Sequence, residues 1–459
     1  MAKRLKIQEI LALDPVGGAE GPEPVRQGTE TKSAKSPTES SVETRLIEEV
    51  INRDNLFKAL KRVKANGGSP GADGLTVQQL PDFLRENWPR IREELVAGTY
   101  KPQPVRRVEI PKPDGGTRKL GIPSAVDRLI QQAVLQVLQP RWDPTFSVNS
   151  FGFRPGRSAH QAVAKAQSYI QEGFRWVVDL DLEKFFDRVN HDLLMGRVAK
   201  RISDKRLLKL IRGFLEAGVM ENGLVGPTDE GTPQGGPLSP LLSNLLLDDL
   251  DRELEQRGHR FVRYADDSNV YVRSERAGLR VLESLTAFLA GKLKLKVNES
   301  KSAVARPMDR KFLGFSFTNG EKVKRRIAPK SVLRFKAKIR ELTRRSRGVG
   351  IDRMVGDLRR YLNGWLGYFG FCETPSTLSA LEGWLRRRLR CFLWKQWKRG
   401  RIRFKELTTR GVGKNLAAKT AGSPHGPWRL SNSPALAIAL GNDTFKRLGL
   451  PALVIRATT

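Results

Sequence analysis

Apolar positions along the chain change period several times, and each change predicts an element. From Glu43 the stretch TRLIEEVINRDNLFKALKRVKANGG spaces Leu46, Val50, Ile51, Leu56, Leu60 and Val63 as one amphipathic helix ending at a Gly pair. Farther on, RRVEIPK and WVVDLDL alternate as strands do, whereas QAVLQVLQ and SNLLLDDLDRELEQ carry a helical period. FVRY and NVYV flank two adjacent acids, Asp266 and Asp267, like the arms of a hairpin. Past about residue 320 the pattern turns helical, dense in arginine and punctuated by Trp. Residues 15–42 are different: rich in Gly, Pro, Ser, Thr and Glu, they lack the apolar side chains that would offset their ordering entropy, and a flexible leader over 1–42 is expected. The expectation is an α+β fold: a mixed region over 43–318, a helical domain over 325–400 and a basic C-terminal segment over 401–459.

Charge then narrows the partners. Lys and Arg number 82 against 49 Asp and Glu, a formal net charge of +33, and such an imbalance is a footprint for polyanions, nucleic acid first among them. Between 321 and 410 stand 26 Lys and Arg against 7 Asp and Glu, so much of the excess sits in about a fifth of the chain. No stretch approaches the run of about 18 apolar residues that a spanning helix needs, and the N-terminus lacks the apolar block of a secretory signal. No membrane partner and a cytoplasmic location are therefore expected. Two cysteines, Cys372 and Cys391, are too few for a disulfide framework or a Cys-based zinc site, and the four histidines are scattered.

Two neighbouring carboxylates in so basic a chain repel one another unless a strong positive charge sits between them. A divalent cation resolves the conflict, since Mg²⁺ prefers hard oxygen ligands and is commonly held by one or two carboxylates together with substrate phosphates. A pair of such ions about 3.5 to 4 Å apart serves polymerases and nucleases, and that scheme needs a further acid. WVVDLDLEKFFD supplies it, with Asp179 and Asp181 on one face of a strand and Val178, Leu180 and Leu182 on the other.

With those residues in view, a resemblance enters. Tyr264-Ala265-Asp266-Asp267 resembles the YADD box of reverse transcriptases, DLEKFFD (181 to 187) the motif carrying their first catalytic Asp, and GTPQGGPLSPLLSN (231 to 244) their substrate-contacting box. YKPQPVRRVEIPKPDGGTRKLGIP, SFGFRPGRSAHQAV and FLGFSF extend the match to the proteins encoded by group II introns. RIAPKSVLRFKAKIREL, LRRYLNGWLGYFGF and LEGWLRRRLRCFLWKQWKR resemble the maturase-specific domain of that family. No Cys and His cluster stands near Thr459, so the chain resembles the endonuclease-lacking bacterial branch.

The resemblance implies a right-hand polymerase, with fingers and palm followed by a helical thumb/maturase domain, that copies RNA into DNA and binds its intron RNA to assist splicing and mobility. It implies two Mg²⁺ ions held by Asp181, Asp266 and the carbonyl of Leu182, with Asp267 supporting the geometry. Cations for the triphosphate come from Lys112 and Arg118, Phe186 matches the aromatic that excludes a 2′-hydroxyl, Gln234 and Gly235 resemble the nucleotide-contacting pair, and Lys301 resembles a lysine that protonates pyrophosphate. The partners implied are group II intron RNA, an RNA template with its DNA primer, deoxynucleoside triphosphates and target DNA. On the helix of LEGWLRRRLRCFLWKQWKR, Leu381, Leu385, Leu389 and Phe392 have core spacing, while Arg386, Arg387, Arg390 and Lys398 are expected to face RNA, because their mutual repulsion calls for a phosphate backbone. Two alternatives stay open: a splicing maturase without polymerase activity, against which the intact acids stand, and a defence-associated reverse transcriptase, which has no need of a maturase-like region.

Overall fold

A computed structural model describes residues 45–111, 116–221, 224–226, 230–232, 235–344 and 346–454. The expected leader, Lys112 and Gln234 lie outside the described residues. In chain order come α1 (Leu46–Val50), α2 (Arg53–Asn66), α3 (Leu80–Ala97), β1 (Val105–Pro111), β2 (Thr117–Ile122), α4 (Ala125–Trp142), α5 (Ala159–Gln171), β3 (Trp176–Leu180), α6 (His191–Ala199), α7 (Lys205–Glu216), β4 (Val219–Glu221), β5 (Leu224–Gly226) and α8 (Ser239–Gln256). Then follow β6 (Arg260–Tyr264), β7 (Asp267–Val272), α9 (Glu275–Phe288), β8 (Ala303–Ala305), β9 (Phe315–Phe317), β10 (Arg325–Ile327), α10 (Pro329–Leu342), α11 (Ile351–Phe369), α12 (Pro375–Gln396), α13 (Gly400–Thr409), α14 (Lys414–Ala421), α15 (Pro427–Leu430), α16 (Pro434–Ala439) and α17 (Asn442–Arg447).

The chain divides into two compact units, one of residues up to 158 with 178–270 and 276–303, the other of 159–177, 271–275 and 304 onward. In the first, β1 and β2 form an antiparallel hairpin pairing Arg106 with Ile122 through Pro111 with Thr117, and β4 adds to β1 in parallel. The single helix expected from Glu43 is two helices. Asn52 interrupts it, its side-chain oxygen accepting a hydrogen bond from the Asp54 N–H at 3.0 Å, so an N-cap wins over continuation of the apolar stripe. The second sheet runs β6-β7-β3-β8 and carries the acids.

The second unit is built on one core. Leu358, Leu362, Leu381, Leu385 and Leu389 are fully or almost fully buried there, and Trp394 and Trp397 fill it, as their helical spacing predicts. Within the basic C-terminal segment, Leu407, Ala417, Leu436, Leu440, Phe445 and Leu453 belong to the same core as α12. The helices of that segment run from four to ten residues, too short to show an amphipathic stripe in sequence.

Candidate active site

The acid pair sits where β6 turns into β7. Phe261, Val262 and Arg263 are all buried, because helix α8 packs on β6 and the other face is covered as well. Ala265 makes the turn with φ +57°, a left-handed conformation unusual for a residue with a Cβ. Asp266 follows at the tip, half-buried, and Asp267 opens β7 exposed to solvent. Only glycine fits behind this turn at position 152, since a Cβ there would stand 2.2 Å from the Ala265 nitrogen.

Strand β3 delivers Asp181 just past its last residue. Val178, Leu180 and Leu182 are buried while Asp179 and Asp181 are half-buried, the alternation that a strand imposes. The backbone of Asp181 is fixed by residues that the sequence did not single out: its N–H donates to Ser302 Oγ at 3.0 Å, and its carbonyl accepts from the Asn298 N–H at 2.8 Å. Lys301 Nζ lies 3.4 Å from Asp181 Oδ2. Burial pushes the Asp266 carboxyl above the usual carboxylate range, its own N–H works against this, the Asp181 charge adds to it, and Arg118 and Arg263 oppose it. Asp181, Asp266, Arg118 and Lys301 thus share one electrostatic neighbourhood.

Leu182 pairs with Val297 in an isolated antiparallel bridge, with the Glu183 N–H bonded to the Lys296 carbonyl and the Asn298 N–H to that of Asp181. In that pattern Leu182's own carbonyl turns away from its neighbour. Phe186 is half-buried with its ring 5.1 Å from that of Phe185, and its carbonyl accepts from the Thr232 N–H at 2.7 Å, tying it to the loop that leads to position 235. Gly235 has φ +139° and presses against β2, where a Cβ would come within 2.7 Å of the Gly121 carbonyl oxygen. Asp179, beside the site, accepts from the Asn269 amide at 3.1 Å once that amide is oriented to suit its neighbours.

Two carboxylates and backbone carbonyls are the hard-oxygen donors that Mg²⁺ takes. Burial, and after it the charge of Asp181, disfavours the ionised form of Asp266, and a cation bound between the two acids would favour it. Among the described residues no group of three or more His, Cys, Asp or Glu side chains is placed to hold a metal, so an ion here would draw its remaining ligands from substrate phosphates and water. These residues fit a divalent cation.

The arginine-dense helix is another matter. Arg386 is paired with Glu382 one turn back; Arg387 donates to the Trp428 carbonyl at 3.1 Å and lies over its ring at 4.1 Å; Arg390 Nε donates to the Leu440 carbonyl at 3.0 Å. Burial lowers the Arg390 pKa, with Arg386 adding to the effect. Arg387 and Arg390 thus reach carbonyls at the ends of neighbouring helices, which lack partners within the helix, while Arg386 is paired on its own helix, so part of each guanidinium is committed within the fold. Lys398 alone of the four is exposed. Trp384 is ringed by Lys336, Arg340 and Arg388 at 5.9, 5.6 and 5.4 Å.

A hairpin presenting one acid beside another at the end of the adjacent strand, with Arg118 of the β1–β2 hairpin acting on it, is an arrangement that polymerases and nucleases use for phosphoryl transfer. Residues 110–317 match the family of reverse transcriptases (RNA-dependent DNA polymerases), and 332–411 match the group II intron maturase-specific domain. Protein YkfC of Escherichia coli (strain K12) is 34% identical over 322 residues, 61% of this chain and 84% of that one. The group II intron-encoded protein LtrA of Lactococcus lactis subsp. cremoris is 30% identical over 338 residues, 59% of this chain and 56% of its own length. A chain of a partial Cas6-RT-Cas1–Cas2 complex is 25% identical over 54% of this chain and 43% of that one, and its TM-score of 0.35 is too low to bear on the fold. The chain belongs to the group II intron reverse transcriptase/maturase family and is an RNA-directed DNA polymerase. Reverse transcriptases use divalent metals, and both matched domains imply RNA partners. Among the described residues no helix is long and apolar enough to cross a membrane.

Proposed function

We propose that this chain extends a DNA primer on a group II intron RNA template, with Asp181, Asp266 and the Leu182 carbonyl holding two Mg²⁺ ions, and that it binds the same intron RNA to assist splicing and mobility. Target DNA would be a further partner. The observation that carries the reading is the half-buried Asp266 whose carboxyl feels Asp181, in a chain of net charge +33. Bound Mg²⁺ supplies charge neutralisation for the primer oxygen and the phosphates.

The chemistry asks little covalent work of the protein. The primer 3′-oxygen forms a bond to the α-phosphorus, the bond to pyrophosphate breaks, and the hydroxyl proton leaves to solvent, so the residues' task is positioning. Asp266 would be presented by the turn, and Asp181 from a backbone held by Ser302 and Asn298. Arg118 and Lys112 would grip the triphosphate, and Lys301, already against Asp181, would protonate the departing pyrophosphate. Gly235 and Gln234 would contact the nucleotide, and the Phe186 ring would close the space that a 2′-hydroxyl requires. Asp267 would add negative charge without holding an ion. The fingers and palm would span about 43–318 and the thumb/maturase domain about 325–400.

Primer extension on an RNA template with Mg²⁺ and deoxynucleotides is the test. Wild-type protein extends the primer, and Asp266→Asn and Asp181→Asn do not; a wild-type protein that adds no nucleotide defeats the enzymatic reading. Intron splicing that survives Asp266→Ala would show RNA assistance to be separable from polymerisation.

A further inference from the structure

Three sequence motifs still lack a role in this mechanism: SFGFRPG, the SPLLSN helix start, and the arginine of RYADD. One buried network joins them. The Arg263 side chain is wholly shielded from solvent and spends all five of its N–H bonds. Nε and Nη2 meet the two oxygens of Asp251 at 2.7 and 2.6 Å; Nη1 meets Asn244 Oδ1 and the Ala265 carbonyl, each at 2.9 Å; Nη2 also meets Ser150 Oγ at 2.8 Å. Asn244 in turn donates to the Gly152 carbonyl at 2.9 Å, and Gly152 is the residue packed against Ala265. Backbone bonds lock the same pieces: Phe151 N–H to the Arg263 carbonyl and Arg263 N–H to the Asn149 carbonyl, both 2.9 Å. A further buried arginine, Arg154, staples the loop from behind through the carbonyls of Ser147 and Ser150.

Folding alone does not call for this. A buried ion pair is commonly replaceable by apolar residues of similar volume without loss of stability, so its presence needs another reason. The reason lies in what the fifth bond holds. The Ala265 carbonyl belongs to the peptide plane that ends at the Asp266 nitrogen, so fixing that oxygen fixes the direction in which Asp266 leaves the backbone. Ala265 is itself in a left-handed conformation, which persists only where the surroundings over-determine it.

We infer that Arg263, clamped by Asp251, Asn244 and Ser150, is a positioning residue that sets the Asp266 carboxylate for metal binding through the Ala265 carbonyl. The inference rests on the proposed metal-binding role of Asp266.

Arg263→Lys tests it. A lysine keeps the positive charge facing Asp251 but lacks the planar fork that reaches four partners. Binding is read with Mn²⁺ as the probe, by electron paramagnetic resonance of the full chain with an RNA template, a DNA primer ending in a 3′-deoxynucleotide, and the matching triphosphate. Turnover is read on an ordinary primer, and duplex affinity by anisotropy in Ca²⁺. Mn²⁺ affinity and kcat should each fall about 10- to 100-fold, as for partners that orient metal ligands, with duplex affinity unchanged. Should Arg263→Lys fail to fold, Asn244→Ala and Ser150→Ala each remove one partner and are read the same way.

Leu60→Ala, in the buried face of α2 and outside the network, serves as the control. It should lower Tm and leave Mn²⁺ affinity alone. A lowered Tm with wild-type Mn²⁺ affinity and kcat in Arg263→Lys overturns the positioning role, as does an equal loss of duplex affinity, or a Leu60→Ala protein that loses Mn²⁺ just as much. Wild-type protein that extends no primer defeats the polymerase reading instead, and is distinguished by that alone.

Discussion

The turn at Asp266 and the helix α12 both concentrate charge, yet they do so by opposite logic. At the turn Asp266 is withdrawn from water beside Asp181, and burial first, then the Asp181 charge, raises its proton affinity against the pull of Arg118 and Arg263. On α12 three arginines stand close together and each has found a partner of its own: Glu382 for Arg386, the Trp428 carbonyl for Arg387 and the Leu440 carbonyl for Arg390. A carboxylate with a shifted proton affinity beside a second acid calls for an outside cation, whereas a guanidinium whose N–H groups are bonded within the fold has donors committed to the scaffold. The density of charge in a sequence is common to both, and only the surroundings separate them.

The largest effect that can test this contrast is at the turn. Asp266→Asn keeps the size of the side chain and removes its charge, so primer extension should fall by about 10³-fold or more, while Tm holds or rises because a buried charge has been neutralised. Activity within a few-fold of wild type would show that the Asp266 carboxylate has no outside partner.

Arg390→Ala probes the other side. It strips the Leu440 carbonyl of its donor in a half-buried place and should lower the stability of the helical unit by about 1 to 3 kcal/mol in thermal or denaturant unfolding. Stability equal to wild type, together with weaker RNA binding, would return Arg390 to the interface and erase the contrast.

Proton linkage separates two further acids in the same way. Asp127 in the first unit is buried among Ser124, Tyr100 and the Gln103 N–H, and burial pushes its pKa up to about 6 despite those bonds. Its folded form holds a proton more tightly than the unfolded chain. Its contribution to stability is therefore full below about pH 4 and is lost as the pH rises through 6. Asp357 in the second unit runs the other way: bonds from Arg347 and then Arg360 hold its pKa down, so its contribution is present above the ordinary carboxylate range and is lost on acidification. Unfolding followed between pH 4 and 7 should show Asp127→Asn flattening a decline that wild-type protein has. An unchanged pH profile in that variant would remove Asp127 as its source.

Much of the site was legible because its chemistry is local. Asp266 and Asp267 are adjacent, and Asp181 announces itself by alternation with Val178, Leu180 and Leu182 in a short strand. The supports were not legible, because they come from far along the chain: Ser302 holds Asp181 across 121 residues, and Ser150 reaches Arg263 across 113. Arg263 reads in sequence as a strand residue with a polar face, and nothing nearby indicates that the face is sealed by α8 and the 149–152 loop. The internal partners of Arg386, Arg387 and Arg390 were hidden for a related reason, since they are main-chain carbonyls and one glutamate, and carbonyls leave no trace in a sequence. The break at Asn52 was missed where a strong apolar stripe masked a capping residue.

The smallest effect is also the one that most finely separates scaffold from interface. Lys398 is exposed just past the end of α12 and has no ion pair among the described residues, so it retains a charge that a phosphate can use. Lys398→Ala should leave Tm within about 0.5 kcal/mol equivalent of wild type. If Lys398 meets the RNA backbone, the variant should weaken duplex binding and reduce the dependence of log Kd on log salt by about 0.7 to 0.9, the release of one counterion. Arg390→Ala should do the reverse, costing stability and leaving the salt slope where it was. A slope that falls equally in both variants would mean that a guanidinium already bonded to a carbonyl still serves phosphate. Counting arginines would then have been the better guide to the surface.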